Sequence, residues 1–220
     1  AEYLEAKKQG IETKPTIIGP YTFLRLAEYT DDLKASDVKK SVATAYKVLF
    51  SELNQLGVQW VQIEEPALVL DQTDEDLALF DSIYQDVLTV KGTVKVQLQT
   101  YFGDIRDSYQ TVLNLPFDGV GLDFVEGKET LNLIKKHGFP KDKVLFAGVI
   151  NGKNIWRNDY QKTIALFQQL PQDIQLVINT SCSLQHVPVT TASEEKLDQG
   201  ILQHFAFAIE KLHEIQELSQ

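Results

Sequence analysis

The chain has 220 residues, of which 43% are hydrophobic and 24% charged, and its formal net charge is −10. This length and composition predict one globular domain with a sizeable core, and the acidic balance argues against nucleic acid or an anionic membrane as the main partner. No apolar run approaches the roughly 20 residues that span a bilayer, and the N-terminus lacks signal-peptide character, so we expect a cytoplasmic protein.

Apolar runs that predict strands alternate along the chain with amphipathic stretches that predict helices. Strands are predicted near residues 15–22, 58–70, 94–99, 119–125, 144–150 and 175–180. Helices are predicted at the N-terminus, over 31–56 with Ser36 or Asp37 as N-cap, from 73 onward, near 104–113, and over 128–137, 159–170 and 193–218. These strand–helix units are long enough for parallel connections, which predicts an α/β fold.

Polar residues follow nearly every predicted strand. In a (β/α)8 barrel such strand exits converge on one rim, where these barrels place their active sites. A doubly wound sheet would show the same alternation, but the spread of polar exits and the lack of a G-x-G-x-x-G turn favour the barrel. A complete barrel takes eight strands and about 250 residues. We therefore predict a single partial TIM-type barrel over residues 1–220, holding units 3 to 8, with two further units expected upstream of Ala1.

Two adjacent carboxylates, Glu64 and Glu65, close the second predicted strand just before Pro66. They are candidates for an acid–base pair or for binding a substrate amine. Because neighbouring strand residues point to opposite sides, we expect one of them to face the barrel mouth and the other to pair with a cation.

Asp123 and Cys182 also lie at strand exits. Asp123 is either functional or bonded to a loop amide. The single cysteine excludes an intrachain disulfide and a C-x-x-C zinc site, and it is typical of a small buried hydrophobe. His186 could approach Cys182, although loop packing is the simpler reading. The full set of candidate barrel-mouth residues is Glu64, Glu65, Tyr101, Asp123, Asn151, Ser181, Cys182 and His186.

Three stretches carry a resemblance to a known family. They are Thr16-Ile17-Ile18-Gly19-Pro20-Tyr21-Thr22-Phe23-Leu24, Val61-Gln62-Ile63-Glu64-Glu65-Pro66-Ala67-Leu68 and Asn179-Thr180-Ser181-Cys182-Ser183-Leu184-Gln185-His186-Val187-Pro188-Val189. Together they resemble cobalamin-independent methionine synthase, and the likeness extends along the whole chain. The resemblance implies two duplicated (β/α)8 barrels, with this chain in the later part of the N-terminal one.

The resemblance also implies where zinc binds. In the family's C-terminal barrel, a His-x-Cys pair, a Glu and a Cys hold zinc, and the metal keeps homocysteine as the reactive thiolate. The corresponding positions here are Leu98, Thr100, Asp123 and Cys182. Two potential ligands are too few for a zinc site, so we expect no metal in this segment. Glu64 corresponds to the Asp that contacts the homocysteine amine in the zinc barrel, but it need not bind homocysteine here.

By the same resemblance, the full-length protein is expected to transfer a methyl group from 5-methyltetrahydrofolate polyglutamate to homocysteine, forming methionine. This segment, with no catalytic residues expected, would serve as a scaffold and as part of a folate groove beside the C-terminal barrel. Lys153 and Arg157 are candidate contacts for the anionic folate tail. Two alternatives stay open: an independent barrel enzyme of the uroporphyrinogen decarboxylase-like or related methyltransferase type, and a purely structural module. Uncovered strand edges also predict self-association of the segment.

Overall fold

The computed structural model describes residues 2–30 and 32–220. In these ranges six parallel strands alternate with helices, which confirms the α/β class. The strands are β1 Thr16–Ile18, β2 Trp60–Glu64, β3 Lys95–Gln99, β4 Gly119–Asp123, β5 Val144–Ile150 and β6 Gln175–Thr180. The α-helices are α1 Glu2–Lys8, α2 Pro20–Leu26, α3 Ala35–Gln55, α4 Asp74–Val87, α5 Tyr109–Asn114, α6 Thr130–His137, α7 Tyr160–Phe167, α8 Gln199–Leu202 and α9 Ala208–Leu218. None of the helices in the described ranges combines the length and hydrophobicity of a membrane span.

The chain folds as two compact units. Unit 1 comprises Ala1–Thr100 and Ile105–Val120, and unit 2 comprises Tyr101–Asp104 and Gly121–Gln220. Each unit has its own set of parallel strands and helices.

In unit 1, β1, β2 and β3 are parallel neighbours in that order. Gln62 lies opposite Gln97, and Glu64 lies opposite Gln99. Because successive side chains of a strand point to opposite faces, these polar residues share one face of the sheet. The other face carries fully buried apolar side chains, namely Val61, Ile63, Val96 and Leu98. The register of β2 and β3 therefore separates a polar layer from an apolar one.

The polar layer of unit 1 is held by hydrogen bonds between side chains. Lys14 Nζ donates to Gln97 Oε1 at 2.5 Å, Gln97 Nε2 donates to Gln99 Oε1 at 2.7 Å, and Gln99 Nε2 donates to the Thr100 carbonyl at 2.8 Å. Gln97 and Gln99 are both buried. The alternation of β3, which predicts a wetter flank, corresponds instead to buried amides that satisfy one another.

Helix α2 has no counterpart among the predicted helices. It spans seven residues and has Pro20 at its first position, where the missing N–H removes no helical hydrogen bond. A helix this short shows too little periodicity to be recognised. By contrast, α4 begins as predicted, since Thr73 and Asp76 form a capping box at its N-terminus.

The start of α3 differs from its prediction. The helix begins at Ala35, with Lys34 at the N-cap position where Ser36 or Asp37 was expected. Asp37 instead accepts the backbone N–H of Lys34 at 2.7 Å, from within the first turn. Asp31, in the predicted beginning of this helix, lies outside the described residues.

In unit 2, β5 and β6 pair in parallel, with Val144 opposite Gln175 and an irregularity between Gly148 and Ile150. β5 is buried over almost its whole length, whereas the first three residues of β6 are exposed. Helix α6 ends as predicted at Gly138, whose φ of 76° suits glycine at a helix C-terminus.

The single helix predicted over 193–218 is wrong. The structure has the short helix α8, a break at 203–207, and then α9. In the break, the Ala206 N–H donates to the Ile155 carbonyl at 2.8 Å, and the His204 carbonyl accepts from the Arg157 N–H at 3.0 Å. The backbone of this break pairs with the loop after β5, which is distant in sequence. The hydrophobic periodicity of residues 193–218 therefore could not predict the break.

Two buried charges connect α9 to the same loop. Lys211 Nζ donates to the Trp156 carbonyl at 3.1 Å, and Glu214 Oε1 accepts the Asn158 N–H at 2.9 Å. Burial lowers the pKa of Lys211 and raises the pKa of Glu214. The loop after β5 is therefore fixed by α9 on the side that carries Trp156 and Asn158.

Candidate functional site

The exit of β2 in unit 1 carries the two adjacent acids. Glu65 is fully buried, and its carboxylate accepts the backbone N–H groups of Tyr21 at 3.0 Å and Thr22 at 2.6 Å, and the Tyr84 hydroxyl at 2.5 Å. These donors take the place of the cation that we expected as a partner. Burial raises the pKa of Glu65 to about 7, and the hydrogen bonds offset this effect in part. Glu65 thus fastens the first turn of α2 to the end of β2.

Glu64 has a different environment. Its side chain is half-buried and accepts from Gln62 Nε2 at 3.0 Å, on the polar face of the sheet. Its carbonyl accepts the Gly19 N–H at 2.7 Å. Of the two acids, Glu64 is the one whose carboxylate lies in the polar layer, as the alternation of a strand requires.

At the exit of β4 in unit 2, loop amides enclose the Asp123 carboxylate. It accepts the N–H groups of Phe102 at 3.0 Å, Val125 at 2.8 Å and Glu126 at 2.9 Å. Asp123 is 1% exposed, and this burial raises its pKa despite the three hydrogen bonds. Both oxygens are therefore engaged in shaping the neighbouring loops.

Phe102 has an unusual backbone conformation, with a φ of 72°. A bulky L-residue in this left-handed region is strained by about 1–2 kcal/mol. The residue is 39% exposed, and its ring makes edge-to-face contacts with Tyr101, at 4.8 Å between centroids, and His186, at 5.7 Å. Lys153 Nζ lies 4.8 Å from the ring centroid and forms an ion pair with Glu126 at 2.7 Å. We call Tyr101, Phe102, His186 and Lys153 the aromatic platform.

Cys182 and Ser181 follow β6, next to the loop after β5. Ser181 Oγ accepts the Gly152 N–H at 3.1 Å, and Asn151 Oδ1 accepts the N–H of Lys153 at 2.8 Å. Cys182 is buried, and burial raises the pKa of its thiol. Its Sγ lies 3.8 Å from the Ser183 carbonyl, whereas the ring of His186 packs against Phe102. The thiol thus has the environment of a packing residue.

Arg157 lies in other surroundings from Lys153. Its Nε donates to the Gln203 carbonyl at 2.7 Å. It lines an open groove of about 440 Å³ together with residues of the segment before α9, including Glu194 and Glu195. Two carboxylates beside it make this groove a poor place for an anionic tail.

The strand exits of unit 2 do not offer a zinc site. Within residues 2–30 and 32–220, no three His, Cys, Asp or Glu side chains are grouped so as to hold a metal ion. The Asp123 oxygens already accept three N–H groups, and burial disfavours the thiolate of Cys182. Zinc needs three or four donors with deprotonated thiols, so these residues do not fit it.

The structure brings Tyr101, Asp123, Lys153 and His186 together around Phe102, which was not among the predicted site residues. Glu126, the partner of Lys153, was also not predicted. The sequence offers little signal for either. A left-handed φ is expected at glycine, and here it occurs at the aromatic residue just before Gly103.

Comparison with solved structures defines the class of fold. Over 100% of this chain and 66% of the other, the chain is similar to the structure of a B12-independent methionine synthase from Shewanella sp. W3-18-1 in complex with selenomethionine, with a TM-score of 0.61 and 16% identity. At this identity the likeness establishes the fold alone, and it agrees with the expected TIM-type barrel class. A family model described as the N-terminal domain of cobalamin-independent synthase matches residues 1–175. The chain belongs to that family.

Curated relatives extend the comparison along the whole chain. The chain is 61% identical, over 100% of its length, to the 5-methyltetrahydropteroyltriglutamate–homocysteine methyltransferase of Lactococcus lactis subsp. cremoris. It is 51% identical, over 99% of its length, to the protein of the same name from Streptococcus thermophilus. In both cases the chain spans 29% of the relative's length. The resemblance inferred from the three sequence stretches is thereby confirmed.

Proposed function

We propose that this chain is the later part of the N-terminal barrel of a methyltransferase that passes a methyl group from 5-methyltetrahydrofolate polyglutamate to homocysteine. The family match carries the proposal, together with the names of relatives that are more than three times longer than the segment they share with this chain. In this reading, zinc and homocysteine bind to the other barrel of the full-length protein. The segment supports that barrel and contributes to the folate groove.

The donor chemistry at the strand exits supports a non-catalytic role. Asp123 and Cys182 stand at positions that correspond to zinc ligands in the duplicate barrel, but one is committed to backbone amides and the other is a buried thiol. We therefore assign both to loop shaping and packing. Metal analysis of the full-length protein tests this. We expect one zinc per chain, unchanged when Cys182→Ala and Asp123→Asn are introduced, whereas loss of zinc in either variant would contradict the assignment.

Lys153 is the side chain that we propose for contact with the folate tail. Its side chain is 45% exposed and that of its partner Glu126 is 36% exposed, so an arriving carboxylate can replace Glu126 with little loss. Arg157 is the weaker candidate because of its acidic groove.

Calorimetry with 5-methyltetrahydrofolate triglutamate tests the groove. We expect Lys153→Ala in the full-length protein to weaken binding roughly two- to fivefold, the loss typical of one exposed charge pair. Lys141→Ala is the matched control, because Lys141 also forms an exposed ion pair in unit 2, with Asp173. Equal affinities of the wild type, Lys153→Ala and Lys141→Ala for the triglutamate would favour a purely structural module. A cytoplasmic location remains a prediction, which cell fractionation of the full-length protein would test.

A further inference from the structure

The strained conformation of Phe102 calls for an explanation. Glycine would adopt a φ of 72° without strain, yet the position carries a large aromatic ring. Strain of this kind persists where surrounding structure enforces it, and it concentrates at binding sites. Here Asp123 Oδ2 enforces it by accepting the Phe102 N–H at 3.0 Å. The result is an aromatic residue that is 39% exposed and whose backbone is held by a buried carboxylate.

The surroundings of the ring define a mixed surface. Tyr101 and His186 contact it edge to face, and Lys153 places a positive charge 4.8 Å from its centroid. An exposed aromatic surface next to a cation is complementary to a planar ring that carries a carboxylate. Neither a purely apolar ligand nor a simple anion would use both features.

We propose that the aromatic platform of Tyr101, Phe102, His186 and Lys153 binds a planar aromatic carboxylate, with the ring against Phe102 and the carboxylate on Lys153 in place of Glu126. The proposal rests on the proposed function for the natural ligand, since it assigns the aminobenzoyl ring and first glutamate of the folate to this surface. Asp123 acts as a positioning residue, because it fixes the Phe102 backbone without touching the ligand.

Glu126 is an internal competitor in this arrangement. Its carboxylate occupies Lys153 at 2.7 Å, and a ligand must displace it. Binding that depends on a minor, competent state is weakened by the fraction of molecules in that state. Glu126→Gln should therefore tighten the binding of any carboxylate on Lys153, roughly two- to fivefold.

The experiment compares two probes on the full-length protein by calorimetry: N-(4-aminobenzoyl)-L-glutamate and N-acetyl-L-glutamate. Both probes carry the two glutamate carboxylates, and only N-(4-aminobenzoyl)-L-glutamate carries an aromatic ring. We expect the aromatic probe to bind roughly three- to tenfold more tightly, the range of an aromatic contact. Phe102→Gly should abolish this preference without lowering the melting temperature, because it removes the backbone strain together with the ring. Phe102→Leu, which keeps apolar bulk, should reduce the preference.

The outcomes separate this inference from the proposed function. Equal affinity for the two probes, a preference that survives Phe102→Gly, or no binding of either probe would overturn it. If the preference for the aromatic probe depends on Phe102 but Lys153→Ala leaves the affinity for folate triglutamate unchanged, the platform is supported and the tail assignment is contradicted. If Lys153→Ala weakens the triglutamate while the two probes bind alike, the tail assignment stands and the platform fails.

Discussion

The carboxylate of Glu65 lies directly against Gly19, so that a Cβ atom added to Gly19 would stand 2.0 Å from Glu65 Oε1. Gly19 immediately precedes α2, whose first amides bind the same carboxylate. The absence of a side chain at position 19 is what lets the end of β2 and the start of α2 meet.

Gly19→Ala is expected to destabilise the protein by about 1–3 kcal/mol, because the carboxylate cannot move aside without losing its donors. Urea unfolding monitored by circular dichroism gives the change in the free energy of unfolding. In a Glu65→Ala background the same substitution should cost much less, since the obstructing side chain is gone. Additive effects of the two substitutions would contradict the proposed contact.

The ionisation of Glu65 should make stability depend on pH. Burial raises its pKa to about 7 in the folded state, from an ordinary value of 4.5. The folded protein then holds the proton more tightly than the unfolded chain. The contribution of Glu65 to the free energy of unfolding is therefore complete below pH 4.5 and declines as pH rises to about 7. The decline is about 3 kcal/mol.

Unfolding free energies measured from pH 4 to pH 8 in wild type and Glu65→Gln isolate this effect. Glutamine cannot ionise, so its curve should be flatter than the wild-type curve over this interval. Parallel curves would show that Glu65 keeps its ordinary pKa in the folded protein.

Asp123→Asn should loosen the turn at Phe102. Asparagine can keep the oxygen that serves Val125 and Glu126, but its amide nitrogen then meets the Phe102 N–H, and neither group can accept. We expect a loss of about 1–3 kcal/mol and faster hydrogen exchange at the Phe102 amide. An unchanged exchange rate would mean that another acceptor holds this N–H.

Gly152→Ala tests the packing beside Cys182. A Cβ atom there would lie 2.6 Å from the Cys182 carbonyl oxygen and 2.8 Å from its Sγ. The expected loss is about 1–3 kcal/mol in thermal or urea unfolding. Cys182→Ala removes the sulfur but leaves the carbonyl, so it should rescue only part of this loss. Complete rescue would assign the clash to the thiol alone.

The exposed part of β6 predicts self-association when the chain is prepared alone. Leu176 and Val177 are 38% and 42% exposed and line an apolar groove of about 460 Å³ with Phe167 and Ile215. We expect concentration-dependent sedimentation that Val177→Lys reduces, while the matched variant Val48→Lys, at an exposed valine on α3, does not. A stable monomer at high concentration would contradict this.

Local patterns are sufficient for most of the strands. β5 and β6 have the predicted bounds because apolar runs there end at polar residues, and β3, where apolar and polar residues alternate, differs by one residue. The break between α8 and α9 could not be predicted, because it depends on a hydrogen bond between Ala206 and Ile155, which are distant in sequence.

The candidate site shows the same division. Strand exits are readable from sequence, so the candidates Asp123 and His186 were identified. Their roles depend on neighbours from other loops: Asp123 binds the Phe102 N–H, and His186 packs against the Phe102 ring. The partner of Glu65 was predicted wrongly for a similar reason, since α2, which supplies two of its three donors, is too short to be predicted from sequence.

The pairing of Gln62 with Gln97 and of Glu64 with Gln99 has a consequence for the gene as well as for the fold. Deletion of one residue within 61–63 would shift the register of the rest of β2 by one. The polar side chains beyond the deletion, such as Glu64, would then point into the apolar layer. Single substitutions on this strand should differ in how strongly they destabilise the protein. Insertions and deletions there should almost always be removed by selection.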